Sequence, residues 1–375
     1  MNVTEIRNSF PHIGKGFIYF NHASTGPMCK PVIEKINEIL TERSEIKPDE
    51  YLQFLAMALE TKGLIAEYLS TQNGRIAFTD NTSNGLNILA QGLMWDKGDK
   101  IILNDIEFPA NVYPFLNLKK KGVEINFVKS RDGIISAEDI INSVDGKTKL
   151  ISVSFVQFLS GYKIDLEKLG DFCKNNNIIL SVDAIQGLGA LRLDVQKCNI
   201  DFLSSGVQKW LLGLQGLAFI YVSEKLQSEM EPAYLGWLSV ENAWDLLNFE
   251  LIRKSTAQVF QTGTVNTLGI YSLNTVLKML NQFGYEKIEN SIIDNTLFLR
   301  NQLKTKGIKL YPDNLEEKYF SGIVTFKHPD AEGLFNWLSD RKIFTSLREG
   351  MIRLSPHFYN TAEEIESVVD ACRNY

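Results

Sequence analysis

The 375-residue chain has little of what would mark it for export, for a membrane or for a metal. Its four cysteines, Cys29, Cys173, Cys198 and Cys372, are scattered without CxxC spacing or pairing rhythm. They read as free thiols in a reducing compartment, not as a disulfide framework. The four histidines, His12, His22, His328 and His357, fall in no ligand-spaced cluster, so no metal centre is expected. No stretch reaches the roughly 18 uninterrupted apolar residues of a membrane span. The opening MNVTEIRNSFPHIGKGF lacks the apolar core of a signal peptide. A net charge of −6 gives no general attraction to nucleic acid or anionic lipid. The one short basic run, LKKKG (118–122), reads as a solvated helix end. The expectation is a soluble cytoplasmic protein with neither nucleic acid nor membrane as partner.

What remains is ordinary globular composition, 44% hydrophobic and 22% charged, with ample material for a core. Short β-rich runs alternate with longer helical patterns. The strand candidates are RIAFT (75–79), KIILN (100–104), EINFVK (124–129), KLISVSF (149–155), IILSVDA (178–184), DFLSS (201–205) and LAFIYV (217–222). Between them lie stretches such as IDLEKLGDFCKNNN (164–177), whose apolar positions recur at three and four. Such alternation predicts βαβ units, a mostly parallel buried sheet, and ligands at the carboxyl ends of its strands. Residues 24–70 read as largely helical. After about residue 265 come two long helices, then SGIVTFKHP, then two more helical stretches, a pattern that suggests a smaller α/β domain.

Four features fall at predicted strand ends. VDAIQG (182–187) puts Asp183 and Gln186 where a strand gives way to a loop. TDNTSNGLNILAQGL (79–93) follows a strand and opens a helix with good N-cap residues, and a helix start suits a phosphate. NDIEFPANVYPF (104–115) offers Phe108 beside a proline, and SSGVQKWLLG (204–213) holds Lys209 between two apolar segments. Taken singly these are a turn residue, a cap, a core aromatic and a snorkelling lysine. Together they supply an anion cradle, an aromatic face, a carboxylate and an amine, the four things pyridoxal 5′-phosphate (PLP) needs. Desolvation would lower the lysine's pKa and favour the neutral nucleophile.

From YFNHASTGP (19–27) to RLSPHFYNTAEEIE (353–366) the chain resembles the class V aminotransferase group of fold-type I PLP enzymes. That group includes cysteine desulfurases, kynureninase and isopenicillin N epimerase. VDAIQ, QKWLLG, FQTGTVN and IRLSPHFYNT carry the resemblance jointly. It implies a large PLP-binding domain (23–260) with a seven-stranded, mostly parallel sheet and a smaller C-terminal α/β domain (261–375). The N-terminal segment (1–22) would join the smaller domain. It also implies a homodimer with shared active sites, acting on a small amino acid.

By the same resemblance Lys209 would form the internal aldimine, Asp183 would pair with the pyridinium nitrogen and Gln186 would lie near the ring hydroxyl. Phe108 would stack on the ring, where desulfurases carry histidine. Thr82 and Ser83 would hold the phosphate, helped by Ser205 and Gln208, and Thr264 would reach the partner subunit's phosphate. Arg353 would clamp the substrate carboxylate, a task suited to a guanidinium fork. Arg348 would assist it or read a side-chain acid, and Asn21 and His22 would border the substrate or simply pack.

Three departures narrow the chemistry. Desulfurases have His before the lysine, where Gln208 stands here. They have Asn where Phe158 aligns, leaving Gln157 as the nearest polar substitute. KIFTSLREGMIRLS (342–355) holds no cysteine, although a desulfurase carries its persulfide-forming thiol just before the arginine motif. Persulfide chemistry is therefore disfavoured, but not direct β-elimination. A nicotinamide dehydrogenase is a poor rival, since GLGALR (187–192) lacks the third glycine and the helix behind it. A catalytically dead scaffold is the rival from another class, opposed by Lys209, Asp183 and Arg353. On family grounds the expected reaction is transamination, with C–S or other β-lyase chemistry second and epimerisation also open.

Overall fold

A computed structural model describes residues 3–49 and 51–375. Its strands, in chain order, are β1 (Ile18–Tyr19), β2 (Ile76–Thr79), β3 (Lys100–Asn104), β4 (Glu124–Val128), β5 (Thr148–Ser154), β6 (Ile179–Asp183), β7 (Phe202–Gly206) and β8 (Ala218–Val222). The C-terminal part adds β9 (Leu310–Tyr311), β10 (Val324–Lys327), β11 (Ile343–Phe344), β12 (Ser346–Arg348) and β13 (Met351–Leu354). The seven expected strands form one sheet in the order β2-β8-β7-β6-β5-β3-β4. All pairings are parallel except those of β8, which runs against both β2 and β7.

Alternation explains why this sheet needs apolar residues on both faces. Ile76 and Phe78 of β2, Ile102 of β3, Leu180 and Val182 of β6 and Leu203 of β7 feed one core. Their chain neighbours Ala77, Ile101, Leu103, Ile179 and Phe202 feed the other. Helices close both faces. Asp165 caps the helix Leu166–Asn175 by accepting from Lys168 N at 3.0 Å, and the helix buries Leu166, Leu169 and Cys173 at the expected three-and-four spacing.

The C-terminal stretch builds a four-stranded antiparallel sheet, β12-β13-β10-β9, over helices Tyr285–Thr305, Ala331–Asp340 and Ala362–Arg373. The strands of 343–354 were not foreseen. They are only two to four residues long, and their alternation is interrupted by Arg348, Glu349 and Gly350 at the tip of a hairpin. The N-terminal segment is sewn to this part. β1 pairs in parallel with β11, Phe20 enters its core, and Arg7 forms an ion pair with Glu364. The helix Thr267–Phe283 lies within the 261–375 stretch, yet its buried face joins the core of the large sheet.

Candidate active site

Five chain segments leave the large sheet at the carboxyl ends of parallel strands. They carry Thr82 and Ser83 after β2, Phe108 after β3, Gln157 after β5, Asp183 at the end of β6 and Lys209 after β7. Asp183 is 2% exposed, and its Oδ1 accepts from Ile185 N at 3.1 Å. Burial pushes its carboxyl up to about 7; Glu107's charge pushes the same way and the Lys209 ammonium opposes it. Lys209 is half-buried, and burial pulls its amine down to about 8. Asp183 resists that shift, while Arg353 and Arg348 add to it. Lys209 Nζ lies 5.7 Å from the centroid of the Phe108 ring.

The backbone around Lys209 is held on every side. Gly26 N donates to Gln208 O at 2.7 Å, and a Cβ at position 26 would stand 2.4 Å from Lys209 O, so only glycine fits there. Fully buried Trp210 donates through Nε1 to Gln186 Oε1 at 3.0 Å, and its carbonyl accepts from His357 Nε2 at 3.0 Å. Gln186 Nε2 donates to Ala23 O at 2.9 Å. Its amide thus already ties the lysine segment to the N-terminal loop, and one N–H is left over.

After β2, Asn81 caps the helix Thr82–Gly92 by accepting from Asn84 N at 2.8 Å. The first amides of that helix have no intrahelical acceptor. Thr82 stitches the helix to β7, its Oγ1 accepting from Gly206 N at 2.9 Å and its carbonyl from Ser204 Oγ at 3.1 Å. Ser83 is half-buried beside it. Ser205 Oγ is buried and donates to Gly206 O at 3.1 Å, and half-buried Gln208 packs over Gly206. Thr264 is exposed and lines a cavity of about 340 Å³ with Asp80 and Asn84, whose walls include neither Asp183 nor Lys209.

The structure reveals a residue the sequence reading passed over. Glu107, next to Phe108 in the quoted NDIEFPANV, is 8% exposed and gathers β3 and β5. Its carboxylate accepts from Asn104 Nδ2 (2.6 Å), Asn111 Nδ2 (3.1 Å), Ser154 N (2.9 Å) and Gln157 Nε2 (3.1 Å), and from Ser154 Oγ. A carboxylate with that many donors is stable while buried. It fixes the loop that presents Phe108. Gln157 is fully buried, and its Oε1 has no partner among the described residues.

Arg353, on β13, is 2% exposed. Its Nη1 donates to Phe158 O at 2.6 Å, Nη2 to Ser24 Oγ at 2.9 Å and Nε to Ser346 Oγ at 3.2 Å. Among the described residues no carboxylate pairs with it, and burial lowers its pKa to about 9. Arg348 is exposed, and its Nη2 donates to the same Ser24 Oγ at 3.1 Å. Ser24, inside the quoted YFNHASTGP, was also missed, because a hydroxyl shared by two guanidiniums 324 and 329 residues away leaves no local trace. Phe158 meets Phe108 edge-on, with centroids 5.3 Å apart. Among the described residues the buried Asn21 Oδ1 has no partner. His22 is bonded within the protein: Nδ1 donates to Ser355 O at 2.9 Å and Nε2 accepts from Tyr359 Oη at 2.8 Å. Both of its nitrogens are engaged, and the ring is fully buried.

A seven-stranded sheet with a lysine, a carboxylate and an aromatic at its carboxyl edge, under an arginine from a second sheet, defines a fold-type I architecture. Residues 18–368 match the family described as Aminotransferase class-V, and the chain belongs to it. The probable cysteine desulfurase of Methanothermobacter thermautotrophicus is 26% identical over 391 residues, covering 98% of this chain and 96% of that protein. The apo cysteine desulfurase from Thermococcus onnurineus NA1 superposes with a TM-score of 0.90 at 24% identity, over 100% of this chain and 98% of that one. The cystine C–S lyase C-DES, in complex with its product cysteine persulfide, gives 0.90 at 21% identity over 98% and 99%. The resemblance read from the sequence is thereby borne out. Among the described residues no helix is long and apolar enough to cross a membrane, and no three His, Cys, Asp or Glu side chains group as metal ligands.

Proposed function

We propose that this protein is a PLP-dependent lyase that breaks the Cβ–S bond of a sulfur-bearing amino acid. The observation that carries the proposal is an arrangement of charge. A mutually compensating Asp183–Lys209 pair lies at the edge of the large sheet, and a buried arginine with no counter-charge faces the same space. The residues fit PLP. The helix start at Thr82 suits its phosphate, Phe108 its ring face and Asp183 its ring nitrogen, while Lys209 Nζ makes no hydrogen bond among the described residues. The partnerless Gln157 Oε1 beside Glu107 suits the ring hydroxyl.

When bound, PLP supplies an electron sink for negative charge at the substrate Cα. The chain's own part can be stated separately. Asp183 would hold a proton at the ring nitrogen. Arg353, with Arg348 and Ser24 beside it, would bind and orient the α-carboxylate. Lys209 would take the proton from Cα. Phe108 and Phe158 would keep water from its amine. For cysteine the net reaction adds one water and yields pyruvate, ammonia and sulfide, the sulfur leaving with the C–S electron pair.

Two observations support the reading, the first favouring C–S cleavage over transamination and the second favouring direct elimination over a persulfide relay. Relatives across nearly the whole chain carry the name cysteine desulfurase, and C-DES is named for C–S cleavage. No thiol here is suited to carry sulfur onward: Cys29, Cys173, Cys198 and Cys372 are all buried, and burial raises the pKa of each. A shared-site homodimer is part of the proposal, since Thr264 is exposed after a strongly exposed apolar run that includes Leu246, Leu247 and Phe249.

The test is to load the purified protein with PLP and supply cysteine, cystine and non-sulfur amino acids in turn. Pyruvate with sulfide or persulfide, from the sulfur substrates alone, is the expected result. Conversion of the cofactor to its amine form without pyruvate would restore the transaminase reading.

A further inference from the structure

The helix Tyr51–Tyr68 buries a second lysine that the chemistry above does not use. Lys62 is 4% exposed, and among the described residues it has neither an ion pair nor a side-chain hydrogen bond. Its Nζ lies over the Phe78 ring, 5.5 Å from the centroid. A buried ammonium without an anion is costly, and cation–π contact returns only part of that cost. Burial pulls the Lys62 amine down to about 7, and the charge of Lys254 pushes it the same way.

Both lysines line one cavity of about 250 Å³. Its remaining walls are mainly apolar and aromatic, with Phe54 and Trp244 among them, and Gln258 adds an amide. Glu241 also borders it; burial lowers the pKa of Lys254 and Glu241 opposes that shift, but Glu241 does not act on Lys62. The cavity therefore offers a buried amine with no ionic partner among the described residues, a second lysine and Glu241 in the same lining, and otherwise mainly apolar walls. Its size is a little below the roughly 300–1,000 Å³ of sites for drug-sized ligands.

We propose that this cavity is a binding site for a small monocarboxylate with an apolar or aromatic body, held through its carboxylate by Lys62 and Lys254. The site is separate from the Lys209 edge, because the cavity walls include none of Asp183, Lys209 or Arg353. It does not depend on the reaction proposed above.

Phenylacetate is a suitable probe, and phenylacetamide, of the same shape without charge, is its control. With PLP-loaded protein, phenylacetate should raise the thermal midpoint in a concentration-dependent way, as any ligand of the native state does. Phenylacetamide should not. Lys62→Met, which fills the place of a buried cation with an apolar chain, should fold and weaken phenylacetate binding by about tenfold or more. Lys254→Gln, at a half-buried position, should weaken it less and gives the same reading if Lys62→Met fails to fold. Because Arg353 also binds carboxylates, the titration is repeated in Arg353→Gln, where the response should persist. Equal binding of acid and amide, full binding by both lysine variants, or loss of the response in Arg353→Gln would each overturn the proposal.

Discussion

The two cationic centres of the candidate active site are built on opposite principles. At the large-sheet edge, Lys209 and Asp183 influence each other and meet near neutrality, at about 8 and about 7. On the C-terminal sheet, Arg353 is more deeply buried, and among the described residues its hydrogen-bond acceptors are all neutral oxygens, those of Phe158, Ser24 and Ser346. The first arrangement is settled within the protein and can exchange a proton. On the reading proposed above the second is completed by the substrate's carboxylate, so that one centre would serve chemistry and the other recognition, and they come from different sheets.

The largest effect expected is at the first centre. Lys209→Ala should lower turnover by about a thousandfold or more, since no other amine stands ready to take the Cα proton. Borohydride treatment of the PLP-loaded variant should leave no adduct at that position. A variant with ordinary turnover would dissolve the contrast altogether.

Arg353→Met probes the second centre and separates its two consequences. Loss of the guanidinium should reduce kcat/KM by about a hundredfold, mainly through KM. The thermal midpoint of the ligand-free protein should hold or rise, because an uncompensated buried charge has been removed. A clear fall in that midpoint would mean that Arg353 is a structural residue, not a waiting one.

The smallest effect is a pH dependence. PLP capture requires the neutral amine of Lys209. Its folded pKa is lowered to about 8, so the neutral fraction grows as pH rises through that value. The capture rate should climb about tenfold between pH 7 and pH 9 and then level off. A rise of about a hundredfold over the same interval, continuing to near pH 10 as for an ordinary lysine, would place Lys209 in solvent.

The sequence made one of these centres far easier to see than the other. All seven large-sheet strands were visible, because strands covered on both faces are short apolar runs bounded by polar turns. Their ends carry Thr82, Phe108, Asp183 and Lys209, so local reading and strand-end logic sufficed. The reversed direction of β8 was not visible, since LAFIYV reads alike in either sense. Glu107 looked like a loop acid until Ser154 and Gln157 arrived from β5 to bind it. Ser24 and His22 depend on residues more than three hundred positions away, and no window along the chain contains both partners.

That separation along the chain has a consequence for how the protein comes into being. Every group proposed above to face the cofactor, except Thr264, lies between positions 82 and 209, whereas the proposed carboxylate clamp joins Ser24 to Arg353. The first set nevertheless leans on the end of the chain, because the helix Thr267–Phe283 completes the large-sheet core and His357 holds the Trp210 carbonyl beside Lys209. During synthesis from the N-terminus both centres therefore wait for the last third of the chain, and neither is finished much before the other.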